Sequence, residues 1–181
     1  MPIAPDDKDW TWVLERPCLD CGLDVTDLPS TAVAAGLREN AAAWRSLLDH
    51  TAVARRPNDG TWSALEYACH VRDVFRLYDQ RLTMLLEQDD PTFPNWDQDA
   101  TAVEDRYGEA DPIAVAAEIE AAGAELADHF DAVTGAQWER TGGRSDGARF
   151  TVDTFARYLL HDPVHHLWDV EQGYATLGPG R

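Results

Sequence analysis

Between Ser63 and Glu87 apolar residues return at every third or fourth position: Tyr67, Val71, Val74, Tyr78, Leu82 and Leu85. A register sustained over six helical turns has one physical solution, an amphipathic helix with one face buried. Its start is marked too, because Ser63 and Glu66 have the spacing of a capping box. Three further segments carry the same signature. One runs from Ser30, as N-cap after Pro29, to Asp49, with Val33, Leu37, Trp44, Leu47 and Leu48 apolar. Another opens on Asp111 as N-cap with Pro112 at the first helical position, reaches about Val133 and stops at Gly135. The last starts at Thr151, behind the Gly-rich stretch "TGGRSDGAR", and ends near Gly173.

No alternation of period two persists anywhere, so no sheet is expected. The fold class is therefore all-α, a four-helix bundle of helices about 20 residues long. Its one long connection joins the second and third helices, with a short helix expected near Ala100–Tyr107. The chain divides into an arm over residues 1–29, the bundle over 30–175 and a tail over 176–181. Trp10, Trp12, Val13 and Leu14 are too apolar for a free tail, so the arm is expected to pack along the bundle.

With 181 residues there is room for one well-buried core. No window approaches 18 consecutive apolar residues, which argues against a membrane span. The acidic start "MPIAPDDKDW" does not resemble a signal peptide, and a cytoplasmic location is expected. A net charge of −18 opposes binding to nucleic acid or anionic lipid, both of which need clustered Lys and Arg. Lys8 is the only lysine among 15 basic residues; with the heavy use of Ala and Asp, this suggests a high-GC bacterial source.

The chemistry is concentrated in "YLLHDPVHHLWDV", residues 158–170. His161 and His165 are four apart and share one helix face, a spacing that lets two imidazoles bind one metal ion. His70, at the edge of the apolar face of the second helix, reaches the same point if the second and fourth helices are neighbours. Three neutral imidazoles leave a coordination position open, as catalytic sites do. The competing reading is a solvated polar ladder, Asp153–Arg157–His161–His165–Asp169, laced with weak ion pairs. Pro163 lies between the two histidines, where it removes a hydrogen bond to the Leu159 carbonyl and is expected to kink the helix. His166, turned about 100° from His165, is expected to point elsewhere. His50 and His129 lie near helix ends, where solvated or capping roles suffice.

The ordered set "WSALEYACH" (Trp62 to His70) followed by H-x-x-x-H-H (His161, His165, His166) resembles the DinB/YfiT-like family of metal-dependent enzymes over about residues 30–173. The resemblance implies a four-helix bundle holding a divalent metal, often zinc or nickel, on three histidines; here these would be His70, His161 and His165. It also implies thiol-dependent chemistry, like that of mycothiol-dependent maleylpyruvate isomerase and of transferases that use bacillithiol or mycothiol. A small-molecule substrate and a low-molecular-weight thiol follow from it, and bundles of this kind often pair through helix faces as homodimers. The chain departs from the general pattern in Pro163 and in its Cys-bearing arm.

"CLDC" places Cys18 and Cys21 in a C-x-x-C. Reduced structural thiols, a redox pair or half a zinc site all fit it; no second such pair exists, and Cys69 is the remaining cysteine. Glu66, Asp73, Asp162 and Asp169 are the carboxylates nearest the histidines in sequence, as orienting groups, bases or surface ion pairs. Tyr78, Tyr158 and Trp168 are candidates to line a pocket or to fill the core. Neither a nucleophile elbow nor a nucleotide-binding fingerprint is present.

Overall fold

The computed structural model describes residues 9–178; the first eight residues of the arm and the last three of the tail lie outside them. Five α-helices dominate: α1 (Val33–Leu48), α2 (Ala64–Glu87), α3 (Gln98–Glu104), α4 (Pro112–Asp131) and α5 (Val152–Leu177). The four long ones form the expected bundle, α4 and α5 each packing on both α1 and α2. No helix among the described residues is long and apolar enough to cross a membrane.

The helix starts follow local chemistry. The Ser63 hydroxyl accepts the Glu66 backbone N–H while the Glu66 carboxylate accepts the Ser63 N–H at 2.8 Å, a reciprocal capping box. Asp111 caps α4 ahead of Pro112, and Thr151 caps α5. Ser30 behaves otherwise than expected: it opens a single 3-10 turn, Ser30–Ala32, that feeds into α1. α5 continues to Leu177, past Gly173, and runs unbroken through Pro163. The Pro163 carbonyl accepts Asn40 Nδ2 at 2.7 Å, and the Asn40 amide oxygen accepts the Trp44 indole N–H at 3.1 Å. That buried chain of polar contacts anchors α1 to the middle of α5.

The core is built from Leu37 and Trp44 of α1, Leu65, Phe75 and Leu82 of α2, Ile119 and Leu126 of α4, and Phe155 and Leu159 of α5. A small sheet, not expected from the sequence, closes one end. β1 (Thr92–Phe93) runs parallel to β2 (Thr141–Arg144), which pairs antiparallel with β3 (Arg149–Thr151). Strands of two to four residues, one containing Gly142 and Gly143, are too short and too bare of side chains to show alternation.

Two segments outside the bundle shape the site. The long connection after α2 carries β1, α3 and the aromatic Trp96. The arm forms a 3-10 helix, Trp10–Leu14, and then lies along α5, burying Val13, Cys18 and Val25. Arg157 of α5 holds it there, donating to the carbonyls of Val25 and Thr26 at 3.2 and 2.7 Å while Asp153 pairs with its guanidinium at 2.6 Å.

Candidate metal centre

α5 presents two pairs of possible ligands, each spaced i,i+4 and offset from one another by a single residue: His161 with His165, and Asp162 with His166. One residue along a helix is a rotation of about 100°, so the pairs face different neighbours. His161 and His165 meet Cys18 and Cys21 of the arm, with one donor atom from each of the four within 4.8 Å of the others. Asp162 and His166 meet His70 of α2 within the same limit. The three histidines expected to share one ion thus divide between two clusters. His166, expected to point elsewhere, joins His70.

In the α2–α5 cluster, Asp162 Oδ1 lies 3.5 Å from His70 Nε2 and 3.6 Å from His166 Nε2. Both ring nitrogens of His70, and Asp162 Oδ1, are buried and have no hydrogen-bond partner among the described residues. Buried polar atoms left in this state are costly, and the facing of His70 Nε2 and Asp162 Oδ1 calls for something between them. Donor atoms bound at about 2.0–2.1 Å to a tetrahedral ion are separated by about 3.4 Å, close to both observed distances. The donor set therefore fits a divalent cation.

The surroundings fix the ligands. His70, 1% exposed, is stacked on Trp96 with ring centres 5.3 Å apart and planes inclined by 5°, and Trp62 flanks it at 5.4 Å. Asp169 Oδ2 lies 2.8 Å from His166 Nδ1, which turns the Nε2 of that ring toward Asp162. Burial pushes His70 below its ordinary pKa, outweighing the opposing pull of Asp162. Burial would raise the Asp162 carboxyl, but the neighbouring His166 and His70 win and hold it below the usual carboxylate range. A neutral imidazole beside an ionised carboxylate is the protonation state a cation requires.

His161 and His165, 4% and 8% exposed, are also held neutral by burial, His161 down to about 4. His161 Nε2 is buried without a hydrogen-bond partner among the described residues. Of the other carboxylates, Glu66 is committed to the α2 cap and to Arg56, and Asp73 to Arg72 and the Tyr107 hydroxyl at 2.6 Å. His50 stacks on Tyr174 and accepts the Ala52 N–H, while His129 lies 2.5 Å from Asp79. Neither reaches the centre.

A cavity of about 840 Å³ opens on these groups. Its wall includes Tyr78, Tyr158 and Trp168, the three aromatics picked out in the sequence, and also Trp10 of the arm and Trp96 of the long connection. Two cations line it that the sequence did not single out. Arg81, only 4% exposed, donates to the Pro94 carbonyl and lies over the rings of Tyr78 and Phe93. Arg144 donates to the Tyr158 hydroxyl at 3.2 Å and pairs with Asp146.

Comparison with known proteins agrees with this architecture. No curated protein matches the chain. Among solved structures the chain is similar to YfiT from Bacillus subtilis, described as a probable metal-dependent hydrolase with an unusual four-helix bundle topology. The TM-score is 0.67 at 17% identity, over 98% of this chain and 94% of that one, a likeness of fold. Residues 35–170, which hold all four long helices except the ends of α1 and α5, match the family model of the DinB superfamily. The chain belongs to the DinB superfamily.

Proposed function

We propose that this protein is a metal-dependent enzyme that activates a low-molecular-weight thiol of the mycothiol type for transfer to an electrophile. On this reading the ion, zinc or nickel, is held by His70, Asp162 and His166. The observation that carries it is the convergence of three donors, the buried His70 and the half-buried Asp162 and His166, on the floor of a cavity large enough for a polar ligand. Three protein ligands leave a coordination position for a ligand from the cavity. A divalent cation there supplies Lewis acidity, lowering the pKa of a thiol that enters that position.

The chain's own residues do the rest. Asp169 fixes the orientation of His166, and Trp62 and Trp96 clamp the His70 ring. Arg81 and Arg144 put two positive groups on a wall that also carries Asp20, Asp97, Asp99 and Asp146, and are the groups to meet a carboxylate on the thiol or on the electrophile. Burial keeps the Tyr158 hydroxyl protonated; its oxygen accepts from Arg144, so its own O–H is able to donate to a bound ligand.

A second reading, hydrolysis with water as the nucleophile, draws on the description of YfiT and on the two-histidine, one-carboxylate set, which hydrolytic zinc enzymes also use. Titration calorimetry separates the two. Mycothiol, bacillithiol and glutathione are titrated into zinc-loaded wild type and into His166→Ala, beside a panel of esters and amides. Saturable thiol binding in wild type, lost in His166→Ala, supports the transferase. Failure of every thiol to bind, with turnover of an ester or amide that His166→Ala abolishes, shifts the assignment to hydrolysis.

A further inference from the structure

The second cluster shares no residue with the centre just described. Cys18 and Cys21 come from the arm, His161 and His165 from α5, and all four donors gather within 4.8 Å of one another. We propose that these residues form a separate, closed metal site of the Cys2His2 type, which pins the arm to the last helix.

Four features converge on it. The donors are two thiols and two imidazoles, the set that selects zinc over harder cations and fills a tetrahedron with no position left for a substrate. Cys18 Sγ is 3.6 Å from His165 Nδ1, and sulfur and nitrogen bound to one tetrahedral zinc at about 2.3 and 2.0–2.1 Å are separated by about 3.6 Å. The two cysteines sit on a tight turn in which the Gly22 N–H donates to the Cys18 carbonyl at 2.9 Å and the Cys18 N–H to the Leu23 carbonyl at 2.9 Å. Gly22 has φ +76°, a left-handed conformation that a residue with a side chain rarely adopts, so this turn is specifically built. Finally, the site is shielded: Cys18 is 1% exposed, and the Trp10 ring lies over His161 and His165 at 5.3 and 5.1 Å.

A redox role for the two cysteines leaves these observations unused. Both thiols are free, Cys18 is closed to a partner disulfide, and a dithiol exchange needs neither histidine. With zinc, the two thiols lose their protons to solvent, and the two thiolates neutralise the dication. The spacing C-x2-C and H-x3-H is that of many zinc sites, except that the halves lie about 140 residues apart and the fold brings them together.

The test uses the full-length, tag-free protein, purified under reducing conditions and loaded with zinc or cobalt. Wild type is expected to retain two equivalents of zinc by mass spectrometry, and Cys18→Ser/Cys21→Ser one. Cobalt-loaded wild type is expected to show thiolate-to-cobalt charge transfer, absent from the double variant and retained in His70→Ala. His70→Ala losing the other equivalent reports on the catalytic centre alone, so each assignment stands or falls separately. X-ray absorption at the zinc edge of wild type gives an answer that does not depend on the variants folding. A sulfur shell near about 2.3 Å is expected. A shell of nitrogen and oxygen only, or a Cys18–Cys21 disulfide that persists under reduction with zinc present, overturns the proposal.

Discussion

His165 and His166 are neighbours in the chain, yet their rings, 6.2 Å apart at the centres and inclined by 71°, serve different donor clusters. His165 faces the arm and Cys18; His166 faces α2 and His70. One helix thus supplies two sites, and the carboxylate that reaches toward both rings is Asp169, at 2.8 Å from His166 and 3.9 Å from His165.

Asp169 orients His166 through its short contact, so Asp169→Asn should weaken zinc binding at the α2–α5 centre by about 10–100-fold. Competition against a zinc-chelating dye measures it. An affinity equal to wild type would mean that packing alone holds the ring.

Stability of the metal-stripped protein should fall as pH falls below 6.5. Burial keeps His70, His161 and His165 below that value in the folded chain, so the unfolded chain takes up protons that the folded one does not. Each contributes in the same direction, by at most about 1.4 kcal/mol per pH unit, and for His161 the loss continues down to about pH 4. Glu66 and Asp73 have lowered pKa values, so their stabilisation is complete above 4.5 and 3.8 and is lost only as pH falls below those values. Urea titrations between pH 7.5 and 5 should therefore show the histidines alone. His161→Gln should remove one proton's worth of slope, and an unchanged slope would refute the assignment.

Asn40 bridges Pro163 and Trp44 in the core. Asn40→Leu keeps the volume but leaves the Trp44 indole N–H without its acceptor, at a cost of about 2 kcal/mol. A lower urea midpoint at unchanged slope is expected; an unchanged midpoint would show that the indole finds another partner.

Gly123 of α4 faces α1 so closely that an added Cβ would lie 2.8 Å from Ala41 Cβ and 3.1 Å from the Phe75 ring. Helix propensity favours Gly123→Ala by about 1 kcal/mol, but crowding in a packed core costs about 1–3 kcal/mol. Crowding should win, because the atom met on α1 is a Cβ that cannot swing away. A raised melting temperature would show that α1 gives way.

The sequence carried the bundle because amphipathic period and caps are local: "SALE" and "DP" mark the starts of α2 and α4 in their own residues. The sheet lacked such a signal, its strands being too short and rich in glycine. The site was only half visible. His70, His161 and His165 line one cavity, as spacing and resemblance suggested, but His166, expected to point elsewhere, lines it too. Which of the two i,i+4 pairs on α5 turns toward α2 could not be read, because that depends on how the helix is rotated by Asn40, the arm and the core. The partnership of Cys18 and Cys21 with His161 and His165 was invisible for the same reason: it spans nearly the whole chain, and only the folded arrangement closes that distance.

The arm rests on α5, a helix made long after it. A chain emerging from a ribosome exposes Trp10, Val13, Cys18 and Val25 well before their binding surface, α5, which is made about 140 residues later. Until then these residues are an unshielded apolar strip with two reactive sulfurs, the kind of surface that chaperones or neighbouring chains capture. Docking of the arm therefore waits for α5, and the wall that Trp10 adds to the cavity is finished only when two segments about 140 residues apart have met.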